Sequence, residues 1–421
     1  MTEINNSAKT GQERLCPDGY KNCEGYIIPN EWGVVRFDSL FKRLTRKNTE
    51  NNQNVLTISA QQGLISQMDY YNTLYASENK EGYSLLHKGD FSYNKSYSSD
   101  YAYGAIKRLD AYDSGIVSPL YICFTPEEGI NSDFYLQYFE AGCFNREIYR
   151  IAQEGARNHG SLNVSTEDFF NSTLVFPPLV EQERIAEILM QCDKIIELKQ
   201  KRIEEEKKKK KYLMQELLDP ASGIRLPGFS GVWKEARIGD IAKMFSGGTP
   251  TSSNQSYYAS AGIPFIRSGE INLSKTALFL SPAGYNNSAA KMVSKGDLLY
   301  ALYGANSGEC YISKIDGAIN QAILCIRSEV VDTNYMYYVL ANRKDWIVAT
   351  YLQGGQGNLS GEIIKKLVIS YPERKEQVAI YTVLNAQDSV IENLELEVSF
   401  YQEKKDALAQ LMLTGIVRIR V

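Results

Sequence analysis

Two stretches of the chain carry the three- and four-residue spacing of apolar side chains that builds one face of a helix. In the first, Ile185, Ile188, Leu189, Cys192, Ile195 and Ile196 recur in this way. In the second, Ile380, Val383, Leu384, Val390, Ile391, Leu394 and Val398 do. Pro177-Pro178 and Pro372 precede the two runs, where a first helical turn tolerates proline. Each run lasts about 40 residues and predicts roughly 60 Å of helix. Neither helix can bury its stripe alone. The spacing therefore predicts that the two pack on each other as an antiparallel coiled coil, with Ile185, Leu189, Ile196, Ile380, Leu384 and Ile391 at the seam or against a partner chain. Outside the two helices the period shortens. Strand-like pieces start at Asn54 (NVLTIS), Leu120 (LYICF), Gly262 (GIPFIRSG) and Ala322 (AILCIRS), separated by Gly-, Asn- and Ser-rich loops. The expected fold class is α/β (α+β) heads.

The pattern occurs twice. Glu181-Gln182 opens EQERIAEILMQCDKIIE, and Glu376-Gln377, 195 residues later, opens EQVAIYTVLNAQDSVIE. The same offset pairs Leu213 with Leu408 and Leu218 with Leu413. Upstream, Trp32 is echoed by Trp233, Lys88-Gly89-Asp90 by Lys295-Gly296-Asp297, and GIVSPLYICF from Gly115 by GAINQAILCI from Gly317. Ser165 and Ser360 each open a short helix. The expected divisions are an N-terminal stub (1–31), a first head (32–176), a central long helix (177–219), a linker (220–232), a second head (233–371) and a C-terminal long helix (372–421).

Composition narrows the chemistry. No apolar run approaches the ~18 residues that span a membrane, and residues 1–30 lack the apolar core of a signal peptide, so a cytoplasmic location is expected. Seven cysteines without a C-x-x-C pair argue against a disulfide framework or a zinc site; Cys123 and Cys325 read as buried small apolar residues. No phosphate-binding G-x-x-x-x-G-K-[ST] loop and no Asn/Asp-Pro-Pro-aromatic tetrad occurs. The two histidines, His87 and His159, have no metal-ligand spacing and read as surface residues. No catalytic or metal-binding set is expected.

A net charge of −4 does not favour DNA binding, which needs cations at phosphates. Residues 233–371 hold 13 Lys and Arg against 10 Asp and Glu, whereas residues 32–176 hold 13 against 17. The run Glu204 to Lys211 reads better as a self-paired helix face, with Glu204, Glu205 and Glu206 each four residues before a lysine, than as a phosphate contact. The loops carry the residue types that read base edges and phosphates: Asn and Gln for adenine, Arg and Lys for guanine or phosphate, and Thr and backbone N–H groups for phosphate. In the first head these are Gln61, Gln62, Lys95, Tyr97, Lys107, Arg108, Arg157 and Asn158. In the second they are Gly247, Gly248, Thr249, Thr251, Arg267, Tyr303, Asn306, Asn320, Gln321, Gln356 and Asn358. The 29 tyrosines serve recognition and strand packing about equally well.

A head followed by an EQ helix, repeated once, resembles the specificity subunits of type I restriction–modification enzymes. The motifs that carry the likeness are PPLVEQERIAEIL from Pro177, GIRLPGFSGVWKEARIGDI from Gly223, FSGGTPTSSNQSYY from Phe245 and INQAILCI from Ile319. The resemblance implies two pseudo-symmetric target-recognition domains, each reading half of a split double-stranded DNA target. It implies long helices that space the heads and bind two methyltransferase subunits, with restriction and translocase subunits joining later. S-adenosylmethionine, ATP and Mg2+ would belong to those partners, and no cofactor to this chain. Arg14-Leu15-Cys16-Pro17 resembles the linker's Arg225-Leu226-Pro227, which places the N-terminal stub near the end of the second helix. The alternative is a coiled-coil scaffold without DNA specificity, which would lack salt-dependent DNA binding.

Overall fold

The computed structural model describes residues 16–59, 63–73, 79–96, 101–152, 161–352 and 358–419. The chain divides into two units: residues 1–198 with 398–421, and residues 199–397. The long helices, Leu179–Leu217 and Arg374–Leu413, each contribute one part to each unit. The first unit is therefore discontinuous in sequence and the second continuous.

In the first unit, strands Phe41–Arg43, Ile122–Pro126, Phe91–Asn94 and Ala105–Arg108 form an antiparallel sheet in that spatial order. Helices Ser132–Glu140 and Asn145–Ile151 follow, and strand Gly33–Arg36 pairs with Thr173–Phe176. A smaller layer joins hairpin Leu56–Ser59/Gly63–Ser66 to the pair Ser84–His87/Ser114–Val117 through a parallel bridge between Val55 and Ile116. The core is aromatic: the Phe37 ring lies 4.7 Å from Phe169 and 5.0 Å from both Phe41 and Phe124. Ile185 and Leu189 of the first long helix enter this core, as do Ala409, Met412 and Leu413 of the second. The N-terminal hairpin Tyr20–Cys23/Tyr26–Pro29 belongs to the same unit, since the Tyr20 hydroxyl donates to the Gly415 carbonyl at 3.0 Å.

The second unit repeats the plan. Strands Ala242–Ser246, Ile323–Ser328, Leu298–Ala301 and Cys310–Ile312 form the antiparallel sheet, and Lys234–Arg237 pairs with Val368–Tyr371. Helices Thr333–Asn342 and Lys344–Leu352 follow. The second layer grows to five strands, with Ile263–Ile266 parallel to Gly317–Ile319. Met214, Leu217 and Leu218 of the first long helix share this core with Ile380 and Leu384 of the second.

The EQ pair explains itself in hydrogen bonds. Gln182 donates to the Pro177 carbonyl (2.8 Å) and accepts from the Asn131 amide (2.9 Å), the N-cap of a head helix. Gln377 repeats this with Pro372 (2.9 Å) and the N-cap amide of Asp332 (2.7 Å). Asp193 takes the Gln137 amide (2.7 Å) from the head and the Lys405 ammonium (2.5 Å) from the other long helix. Asp388 does the same with Tyr338 (2.7 Å) and Lys210 (2.5 Å). Glu376 is bidentately paired with Arg225, and Glu181 with Arg418. The arginine facing Glu181 thus comes from the end of the second helix; Arg14 lies outside the described residues.

Two expectations need correcting. The charged run Glu204 to Lys211 pairs partly within its own helix, but with other partners than the three expected: Glu206 accepts from Arg202 and lies 3.6 Å from Lys209, while Lys207 reaches Glu395 (2.9 Å) and Gln387 donates to Glu206 (2.6 Å). Leu120 is 76% exposed and precedes the strand Ile122–Pro126 rather than entering it. The cysteines behave as expected: all seven are free, and burial pushes the thiols of Cys123 and Cys325 up to about 11 and about 12.

Candidate nucleic-acid interface

In the second head, the ends of five strands meet at one rim. Ser246, the last residue of its strand, pairs with Leu324, and Ala301 pairs with Ile323. Ile266 and Ile319 end side by side in the parallel pair. The loops leaving these ends are tied together: Leu302 donates its amide to the Ala322 carbonyl (2.8 Å) and accepts from the Leu359 amide (3.0 Å). Gly247, Thr249, Arg267, Tyr303, Asn306, Asn320, Gln321 and Asn358, scattered over more than a hundred residues of sequence, therefore share one edge. Thr251 follows on the exposed loop. Gln356 lies outside the described residues.

The double glycine is a packing requirement. A Cβ on Gly247 would overlap the Ile319 carbonyl oxygen, and one on Gly248 would overlap Ala289. Their absence lets Thr249 reach Gln321, to whose Oε1 its hydroxyl donates at 2.6 Å. Asn320 accepts the Ala322 amide (3.1 Å), and Asn306 donates to the Ser268 carbonyl (3.2 Å). The Arg267 guanidinium is held on Glu270 at 3.1 Å, a pairing that raises the arginine pKa. For Glu270, burial opposes its charge, but Arg267 and backbone amides outweigh it and hold the carboxyl below its ordinary value.

The first head is different. Gln61, Gln62, Tyr97, Arg157 and Asn158 lie outside the described residues, as does His159. Lys107 is 4% exposed and spent on the Glu140 carboxylate (2.6 Å) and the Tyr101 hydroxyl (3.0 Å). Burial opposes its charge, yet Glu140 holds its pKa above the ordinary value. Arg108 is tied to Asp110 (2.8 Å) and Asp133 (2.7 Å) and lines a cleft of about 770 Å3 beside Glu187 and Met190 of the long helix. Both charges are paired with carboxylates of the same unit. Lys95 is half-buried, and its ammonium donates to the Val164 carbonyl at 3.3 Å. Its carbonyl accepts from the Leu162 amide (3.0 Å), as Leu302 accepts from Leu359 in the second head. It lines a cleft of about 290 Å3 with Arg43, Lys47, Ser84, Tyr121 and Thr166. Exposed Arg43 and Lys47 were not among the sequence candidates; the cation density of RLTRK from Arg43 was the available signal.

The six seam residues are all buried, at 7% exposure or less. Ile185 and Leu189 pack in the core of the first unit, and Ile380 and Leu384 in that of the second. Outward-facing apolar residues on the same helices are Leu179, Met190, Leu198 and Phe400 in the first unit, and Tyr212, Val378, Val390 and Leu396 in the second. Among the described residues, no group of three or more His, Cys, Asp or Glu is placed to hold a metal ion, and no helix is long and apolar enough to cross a membrane.

The family described as the type I restriction modification DNA specificity domain matches the chain twice, over residues 29–207 and 231–398. The chain belongs to this family. Its role is therefore DNA specificity within a type I restriction–modification system, a task of recognition and not of catalysis. Among curated relatives, the type I restriction enzyme MjaVIII specificity subunit of Methanocaldococcus jannaschii is 23% identical over 96% of this chain and 97% of its own. The putative MjaX specificity subunit of the same organism is 26% identical over 70% of each chain. The S subunit of a type I restriction–modification system from M. genitalium has the same fold, with a TM-score of 0.57 at 15% identity, covering 93% of this chain and 97% of that one. A chain from a study of complex assembly and conformational transition of the type I R-M system reaches 0.59 at 15% identity, over 93% of this chain and 100% of that one.

Proposed function

We propose that this specificity subunit is a cytoplasmic reader of a bipartite double-stranded DNA target, with one half-site assigned to each head. The carrying observation is the rim of the second head, where polar loop residues from five strand ends share one edge. In the first head, the cleft with Arg43, Lys47 and Lys95 offers cations to phosphates. The long helices are the pseudo-symmetric antiparallel spacer. Repeated contacts at Asp193 and Asp388 support that reading. Their outward apolar residues are the surface for two methyltransferase subunits, one per unit, which restriction subunits then join.

The test is to replace residues 32–176 with the head of a relative, in cells that carry the methyltransferase subunits, and to sequence the methylome. The expected result is one altered half-site and one retained. Alteration of both halves would show that the heads do not read independently.

A further inference from the structure

Gln321 occupies a special position on the second rim. It sits, exposed, in the turn between strands Gly317–Ile319 and Ile323–Ser328. Asn320 fixes that turn by accepting the Ala322 amide. The Gln321 carboxamide is then anchored through its oxygen. Its Oε1 accepts from Thr249 at 2.6 Å, and the Tyr303 side chain lies near it. A carboxamide has two N–H donors and two lone pairs on its oxygen. Thr249 takes one lone pair. The other lone pair and the N–H donors remain on a group that is already anchored.

A lone pair beside an N–H is a pattern, and adenine matches it. In the major groove adenine presents an acceptor, N7, beside a donor, the N6 amino group. Guanine presents two acceptors, which leaves the Gln321 lone pair facing oxygen. Cytosine offers only a donor, and thymine only an acceptor beside a methyl group. Of its neighbours, Asn306 donates one N–H to the Ser268 carbonyl, and Arg267 is paired with Glu270. Arrest before binding removes the entropy cost of ordering a long side chain at the interface.

We propose that Gln321, oriented by Thr249, reads an adenine in the half-site assigned to the second head. The inference rests on the head-by-head reading given above. The experiment uses the full chain with its methyltransferase subunits and sequences the methylated motif for wild type, Gln321→Ala, Thr249→Val and a replacement of residues 233–371. The head replacement should change the second half-site; if it leaves the motif intact, the head-by-head reading itself fails. With that reading secure, Gln321→Ala should relax one A·T position of the second half-site, discrimination there falling about ten- to a hundredfold, with the first half-site unchanged. Thr249→Val should relax the same position more weakly. A motif unchanged in Gln321→Ala, or relaxed at a G·C position, overturns the assignment. If Gln321→Ala abolishes methylation, purified Thr249→Val complex is assayed on duplexes carrying each of the four base pairs at each A·T position of the second half-site. Weakened preference at one position supports the proposal, and wild-type preference at every one overturns it.

Discussion

At the scale of single residues, a charge on a loop does not identify a DNA contact; what matters is whether the charge is already spent. Lys107 and Arg108 look alike in sequence to Lys95, but each is neutralised by carboxylates of its own head. Asp297 illustrates the same economy and can be titrated. It accepts the Ser294 amide (2.7 Å) and the Arg327 guanidinium (2.5 Å). Burial opposes its charge, but Arg327 and that amide outweigh it and lower its pKa from the ordinary 3.8. A carboxylate depressed in the folded state contributes stability above its unfolded pKa and loses it as pH falls through the folded value. Asp297→Asn should therefore lower stability at neutral pH and flatten its decline below about pH 4. Denaturant midpoints across that range measure this; a mutant parallel to wild type would contradict it.

At the scale of elements, the fully buried glutamines are the fasteners between head and helix. Gln182 and Gln377 each satisfy an otherwise buried carbonyl and the amide that starts a head helix. Gln377→Ala should cost about 1–3 kcal/mol, because it strands polar partners. Chemical denaturation should show the loss, and Gln377→Glu should not restore it, since a carboxylate cannot donate to the Pro372 carbonyl. The long helices were legible from sequence because a 3.6-residue period sustained over about 40 residues fits a helix and no strand or loop. Ser165 and Ser360 were legible as N-caps, and each accepts an amide of its own helix. The second layer was legible only in part: Leu56–Ser59 and Ile263–Ile266 lie in pieces that read as strands, whereas strands as short as Tyr258–Ala259 show no alternation. In the interface, small polar residues next to strand ends marked the second rim. The first rim was less legible because the burial and ion pairing of Lys107 are invisible until the chain folds.

At the scale of the whole molecule, the helices connect the repeat to its proposed use as a spacer. Four residues inserted after Ile203 add roughly 6 Å to one helix and about 400° of turn, close to whole turns. The methylated motif should then keep both half-sites while its gap grows by one or two base pairs of about 3.4 Å each. Altered half-sites with an unchanged gap would rule out the spacer. The division into a continuous and a discontinuous unit was not readable from the repeat, because the two copies look alike locally. It has a consequence for the order of birth. A chain leaving the ribosome has all of residues 199–397 before it has any of residues 398–421. The unit that begins first must therefore finish last. Its aromatic core waits for Ala409, Met412 and Leu413, and Glu181 waits for an arginine 237 residues downstream. A chain truncated near residue 400 should hold a protease-resistant second unit and an unsealed first one.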